Sequence, residues 1–323
     1  MWVLLAVVVL VLLVAATTSA EVKISGYTQV RCADTSIEDD DCEFDIRRCM
    51  LGLSTPVNDD GTEIRLCVNL GGLDDDDGEM NLEDAIIIHP LSAEWKARVG
   101  YSDAVFGYDL PCSSSRRLPL ERAQATRLLL PGGKDTGVYC TYTPQSTRNG
   151  TPSVILGITN DIEDVADWFD EHDRSYAFVG GLRWGLPNKG QAGISYMSSK
   201  REGTIGGTAT EWDDDIWGAH VRYNSSSNFA FQGEYLAGNR QEVGVSGWYG
   251  LLEVKPSNSR ATAFYRYDTY DDGDVDDYCR HTLGVALEVG AQSRVTLQYE
   301  DIDDEGVGGS NFGLQWQVSY ASR

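Results

Sequence analysis

The chain has 323 residues and a formal net charge of −24, from 50 acidic against 26 basic side chains. That balance repels a phosphate backbone and argues against a nucleic-acid partner. Hydrophobic residues make up 41% and aromatics 10%, with 34 glycines and 9 prolines, a mixture that suits a large all-β architecture whose strands are apolar on one face only.

The chain opens on twenty residues without a charged side chain, in which the apolar run from Trp2 to Ala16 ends at Thr17-Thr18-Ser19-Ala20. Residues 1–20 read as a secretory signal with small residues at the cleavage site, which makes Glu21 the expected mature start; a retained anchor is the alternative. The run falls short of the ~20 apolar residues of a membrane-spanning helix, and residues 21–323 hold no longer one. A helical membrane protein is therefore excluded, which leaves a soluble β-protein or a membrane barrel.

Beyond residue 21 the period-2 pattern of a strand recurs. It gives about sixteen segments: 22–32, 42–54, 61–71, 82–90, 93–102, 135–143, 152–160, 175–186, 190–199, 214–224, 228–238, 245–255, 259–269, 278–289, 293–302 and 311–320. Most are near the ~10 residues with which a tilted strand crosses a bilayer, and an even count is what a closed antiparallel barrel requires. The pattern predicts a transmembrane antiparallel β-barrel of about sixteen strands. Connections on one side are short, such as 56–61, 89–92 and 290–292. Those on the other side are expected to be longer and to carry the acidic runs 38–41, 74–77, 213–215 and 271–277. A soluble β-sandwich would hide its aromatics in a core, whereas Tyr27, Trp95, Tyr101, Trp184, Trp217, Tyr223, Trp248, Tyr267 and Tyr320 recur near segment ends, as in the girdles of a membrane barrel.

The acidic runs read as solvated loops, because Asp271-Asp272-Gly273-Asp274 lacks the remaining ligands of a calcium loop. Seven cysteines in an exported chain point to oxidation. Cys32 and Cys42 are placed to close the first hairpin loop, and Cys49 and Cys67 lie symmetrically about a turn near Asn58. No CxxC spacing occurs, so neither zinc nor haem is expected, and no cofactor is implied.

The longest interval without strand alternation runs from Tyr101 to Asp135 and holds Arg116, Arg117, Arg122 and Arg127. Residues 102–134 are expected to fold into the lumen as a constriction loop. The positions opposite the apolar face carry Arg47, Arg65, Lys96, Arg98, Arg183, Arg222, Arg266 and Arg294, which would line a pore of positive sign. The alternative is that they pair with Glu63, Glu94, Glu234, Glu288 or Glu300 and cancel that field.

From Phe106-Gly107 through Ser113-Ser114-Ser115, Leu118-Pro119-Leu120-Glu121-Arg122-Ala123 and Pro131 to Lys134-Asp135-Thr136-Gly137-Val138, the order of residues resembles the phosphate-selective porin O and P family. Ile24-Ser25-Gly26-Tyr27 with Gln29 and Arg31, and Phe44-Asp45-Ile46-Arg47-Arg48, are similar to its first two strands. The resemblance implies a sixteen-stranded barrel of the bacterial outer membrane, usually trimeric, with an inward third loop and a basic pore. Its expected surroundings are outer-membrane lipid and lipopolysaccharide, and its solutes are small, hydrophilic and anionic, such as phosphate. Two other classes stay open. One is a non-conducting adhesin or envelope scaffold. The other is a barrel hydrolase, which would need one of His89, His172, His220 or His281 beside a nucleophile or carboxylate, and no motif provides that.

Overall fold

The computed structural model describes residues 22–35, 40–71, 80–130, 133–145, 151–160, 176–186, 190–205, 208–226, 228–240, 243–271, 273, 278–304 and 306–322. The signal segment and the acidic run 74–77 lie outside them. Sixteen strands follow one another: β1 (Lys23–Thr35), β2 (Asp40–Pro56), β3 (Glu63–Asn69), β4 (Asn81–Pro90), β5 (Trp95–Asp103), β6 (Lys134–Tyr142), β7 (Ser153–Asn160), β8 (Tyr176–Leu186), β9 (Gly190–Ile205), β10 (Thr208–Ser226), β11 (Phe229–Arg240), β12 (Val243–Val254), β13 (Ala261–Asp271), β14 (Tyr278–Gly290), β15 (Ser293–Asp304) and β16 (Val307–Ala321). Each of the sixteen expected segments corresponds to one of them. Every strand pairs antiparallel with its neighbours in sequence, and β1 pairs with β16 to close the barrel.

Closure is reinforced on the outer surface, where the Tyr320 hydroxyl reaches across β1 to donate to the Met50 carbonyl at 2.6 Å. The ring passes over Gly26, at which a Cβ would overlap the Met50 oxygen, so this crossing needs a glycine.

The two faces of the wall are inverted relative to a water-soluble protein. In β14, Arg280 and Thr282 are buried toward the lumen while Leu283, 61% exposed, points out beside Val285 and Leu287. In β16, Gln315 and Gln317 point in and Trp316, 55% exposed, points out. An apolar exterior around a polar interior is stable only where the exterior meets lipid, and closure leaves no strand edge with unpaired backbone groups in that lipid. The chain is thus a multi-pass transmembrane β-barrel, and the soluble sandwich is ruled out.

Four expectations are corrected. The run Asp213–Asp215 belongs to β10 and not to a loop: β9 and β10 extend as 16- and 19-residue strands joined across 206–207. The connections at 241–242 and 305–306 are equally short, so the longer side of the barrel owes its length to 70–80, 104–133, 161–175 and 272–277. Tyr27 and Tyr101 are not girdle residues, because Tyr27 turns inward to bond Ser114 and Tyr101 lines a lumenal cavity. Cys49 and Cys67 are free thiols. The β2–β3 turn is centred between Asp59 and Asp60 rather than at Asn58, which pairs Cys67 with Gly52, three residues from Cys49. Cys32 is disulfide-bonded, and the side chain of Cys42 lies outside the described residues.

Placing a cation on the lipid face should be costly. Leu283→Arg is expected to destabilise the folded barrel by ~2–4 kcal/mol, read as a shift in the denaturant midpoint for refolding into lipid vesicles, whereas Asp59→Lys in the exposed β2–β3 turn should leave it nearly unchanged.

Candidate functional site: a loop clasped across the lumen

The 30-residue connection between β5 and β6, residues 104–133, turns back into the barrel. Its neck is closed by a bond from the Ala104 amide to the Gly133 carbonyl at 2.9 Å. A single helical stretch, α1 (Gln124–Leu129), buries Ala125 and Leu129 in a cluster with Phe106, Leu110, Leu236, Val245 and Tyr270. The rest of the loop has no regular structure, so its amides and carbonyls need partners elsewhere.

The wall supplies them. Glu234 of β11 accepts two successive amides, Tyr108 N at 2.8 Å and Asp109 N at 2.9 Å. Gln298 accepts Leu120 N at 2.9 Å, Asp268 accepts Gln124 N at 3.0 Å and Ser195 accepts Gly107 N at 3.0 Å. In the other sense, Arg183 donates to Gly107 O at 3.1 Å, Arg294 to Arg117 O at 3.0 Å, Arg266 to Glu121 O at 2.8 Å and Arg280 to Arg122 O at 2.9 Å. Gly107 sits at φ 61°, and a Cβ there would overlap the Glu234 carboxylate, so glycine permits both the turn and the approach to the wall.

One loop side chain is also gripped. The Glu121 carboxylate accepts from Arg31 at 2.8 Å and from Arg47. Burial opposes its ionisation, but the guanidinium groups of Arg47 and Arg31 outweigh that and hold the carboxyl down at about 2.

Two cavities in the lumen are lined by the loop among the described residues. One, of about 550 Å³, lies toward the short-turn end, lined by Arg116, Arg117, Arg183 and Arg222 with Glu121 and Glu253. The other, of about 620 Å³, lies toward the long-loop end, lined by Arg48, Arg122 and Lys134 with Glu83, Asp84 and Asp103. Arg117 is the one residue in both linings. It is 8% exposed, and its Nε and Nη1 have no hydrogen-bond partner among the described residues. Burial pushes its guanidinium down to about 10, which leaves it a cation at neutral pH.

The remaining expected arginines separate by task. Arg116 is exposed on the turn-end cavity, Arg122 donates to Leu110 O at 2.6 Å beside Asp103, and Arg127 sits at the exposed end of α1 and lines neither cavity. On the wall, Arg47, Arg98, Arg183, Arg266 and Arg294 face inward but are engaged with Glu121 or with loop carbonyls; Arg98 bonds Asp103 O at 2.9 Å and lies 4.5 Å over the Tyr139 ring. Arg222 is paired with Glu253 at 2.8 Å, Arg65 lies beside Glu63 at 3.3 Å, and Lys96 is exposed near the short-turn end. Of the expected cross-strand cancelling pairs, Glu300 of β15 lies 3.8 Å from Arg266 of β13, while Glu63 meets Arg65 within β3.

Glu121, Asp268, Gln298 and Arg280 were not singled out as site residues by the sequence. Their signal was available in part, since Asp268, Arg280 and Gln298 are polar residues at inward positions of well-marked strands. His220 stacks on Tyr108 with ring centroids 5.8 Å apart, and among the described residues no serine or carboxylate is hydrogen-bonded to it.

The fold is that of known porins. An anion-selective porin from Comamonas acidovorans superposes with a TM-score of 0.70 at 13% identity, over 93% of this chain and 100% of that one. OprB of Pseudomonas putida gives 0.69 at 10% identity over 93% and 94%. The trimer form of OmpT, an outer membrane protein of Vibrio cholerae, gives 0.66 at 14% over 93% and 99%. No protein-family model matches the sequence, and no curated protein matches it either.

Because Glu121 is held ionised well below the ordinary carboxylate value, its clasp contributes fully at neutral pH and down through about 4.5, and is lost only as pH falls toward about 2. Amide exchange of residues 120–123 should therefore stay slow in mild acid. Glu121→Gln should speed it at every pH, equivalent to a loss of ~1.5–3 kcal/mol from hydrogen bonds to a charged group, with the barrel still folded.

Proposed function

We propose that the chain is a bacterial outer-membrane porin, a passive diffusion channel for small hydrophilic solutes with a preference for anions. The observation that carries this reading is Arg117: a buried cation with unpartnered donors at the boundary between the two lumenal cavities, with Arg116 exposed next to it. A small anion passing between the cavities would meet the exposed Arg116 side chain and the field of the buried Arg117 cation, in a site of low dielectric where charge discriminates most. The resemblance of residues 106–138 to the phosphate-selective porins supports phosphate and similar oxyanions as solutes. Residues 1–20 act in this reading as the export signal, the long-loop end faces outward amid lipopolysaccharide, and the barrel assembles as a homotrimer.

The selectivity does not follow from counting lumenal arginines, because most of those on the wall are neutralised by carboxylates or occupied by loop carbonyls. Arg116 and Arg117 set the sign, with Arg122 and the wall arginines holding the loop that presents them. A second reading, a non-conducting envelope scaffold, is favoured by how fully the loop is bonded across the lumen. A barrel hydrolase has less support, since neither ring nitrogen of His220 has a hydrogen-bond partner among the described residues.

The reversal potential of the purified protein in a planar bilayer under a salt gradient separates these readings. Anion preference is expected. Cation preference would sink the basic-neck reading, and absence of conductance would favour the scaffold. Arg116→Ala with Arg117→Ala should move the reversal potential toward zero while sparing the loop, because only the Arg117 carbonyl takes part in the clasp.

A further inference from the structure

Among the carboxylates that hold the loop, Glu121 and Glu234 are built differently. Glu121 is met by two guanidinium groups. Glu234, 5% exposed, is met by neutral donors: the amides of Tyr108 and Asp109, and the Tyr249 hydroxyl at 3.4 Å. No guanidinium or ammonium group forms an ion pair with Glu234 among the described residues. An ionised carboxylate accepts through both oxygens; once protonated, one oxygen becomes a hydroxyl donor and faces an amide that can only donate. Adding a proton to Glu234 therefore breaks one of its two amide bonds and sets a donor against a donor.

We infer that Glu234 is the positioning residue of the neck: its ionised carboxylate fixes residues 107–109, and its protonation frees that part of the loop, changing conductance and selectivity in mild acid while the Glu121 end stays clasped. The inference rests on the channel reading for its electrical consequence, although the loop movement itself does not. The movement would be local, because Gly107 at φ 61° is the tight turn that brings the backbone against Glu234, and Tyr108 is the residue stacked on His220.

Other titratable and charged groups surround the same segment. His220 lies directly opposite Glu234 in the β10–β11 register, Arg183 of β8 approaches from beyond it, Tyr249 faces it from β12, and Asp109 of the loop accepts the Ala123 amide at 3.0 Å. His220 becoming a cation beside Arg183 would push in the same direction, so the two must be told apart. Glu234→Gln keeps the shape and removes the titration, and His220→Gln and Asp109→Asn do the same for the neighbours.

The test is amide exchange of residues 105–110, corrected for the intrinsic pH dependence of exchange, in the purified wild-type barrel from about pH 8 to about pH 4, together with single-channel conductance and reversal potential over the same range. The expected result is a transition in wild type, with at least ~10-fold faster exchange on the acid side, as for loss of one hydrogen bond of ~1.4 kcal/mol. In Glu234→Gln the transition should be absent, and the acid-like values should persist at every pH. His220→Gln and Asp109→Asn should keep it. A transition that survives in Glu234→Gln, or disappears in either neighbour variant alone, overturns the inference. So does pH-independent exchange in wild type, a result that stands even if no variant folds. If exchange shows the transition but no current flows, the channel reading fails and the positioning role stands.

Discussion

The structure depends on one constraint: a long segment with little regular structure lies inside a closed barrel, where its backbone groups must find partners that neither a helix nor a sheet provides. The wall satisfies them from both directions. Carboxylates and amide side chains accept the loop's N–H groups, and arginines donate to its carbonyls. Arginine suits this use because its planar fork offers several donors at fixed angles and stays charged. Arg280, for example, bonds both oxygens of Asp268 and still reaches the Arg122 carbonyl. The pairing also makes burial tolerable. Arg266, at 3% exposure, and Asp268, at 0%, lie 3.0 Å apart, and truncating Asp268 would remove the carboxylate that both Arg266 and Arg280 meet in the interior.

This constraint limits what the lumenal charges can do for a passing ion. A guanidinium bonded to a main-chain carbonyl still contributes its field, but its donors are directed away from the open space. The charge near the neck thus depends less on how many arginines face inward than on which retain free donors, and Arg117 combines the two situations. Its carbonyl is held by Arg294, which fixes where the residue sits, and its guanidinium Nε and Nη1 are buried without a hydrogen-bond partner among the described residues. Holding a residue by its backbone locates a charged side chain without using the group whose field acts.

Much of the wall was legible in the sequence because a barrel is written in a simple code. A strand with lipid outside and a polar lumen inside alternates strictly, and the weakest segments, 82–90 and 152–160, still proved to be β4 and β7. The position of the loop was legible for the same reason, as a long gap between two well-marked strands. What the code omits is register and acceptor identity. Cys49 and Cys67 were misjudged because a turn centre displaced from Asn58 changes every partner on the two strands. The arginines were placed on the correct face but expected to line open space, because carbonyl acceptors leave no trace in a list of side chains. Asp213–Asp215 looked like a loop because acidic runs are usually solvated, yet in β10 the run alternates like any strand: Asp213 is exposed, Asp214 is buried, and Asp215 accepts from the Tyr196 hydroxyl.

The similarity to porins at 10–14% identity fits this division. The outer wall asks only for apolar residues at alternate positions, a demand many sequences meet, so the fold persists while identity falls to a level at which sequence comparison is silent. The clasp is more demanding, since each wall donor or acceptor must match one backbone group of the loop in height and direction. Gly107 illustrates the tolerance involved: a single methyl group there would collide with Glu234 and undo the paired amide contact. The fit between loop and wall is therefore the part of the structure in which small changes in sequence have large geometric consequences, more so than in the barrel that frames it.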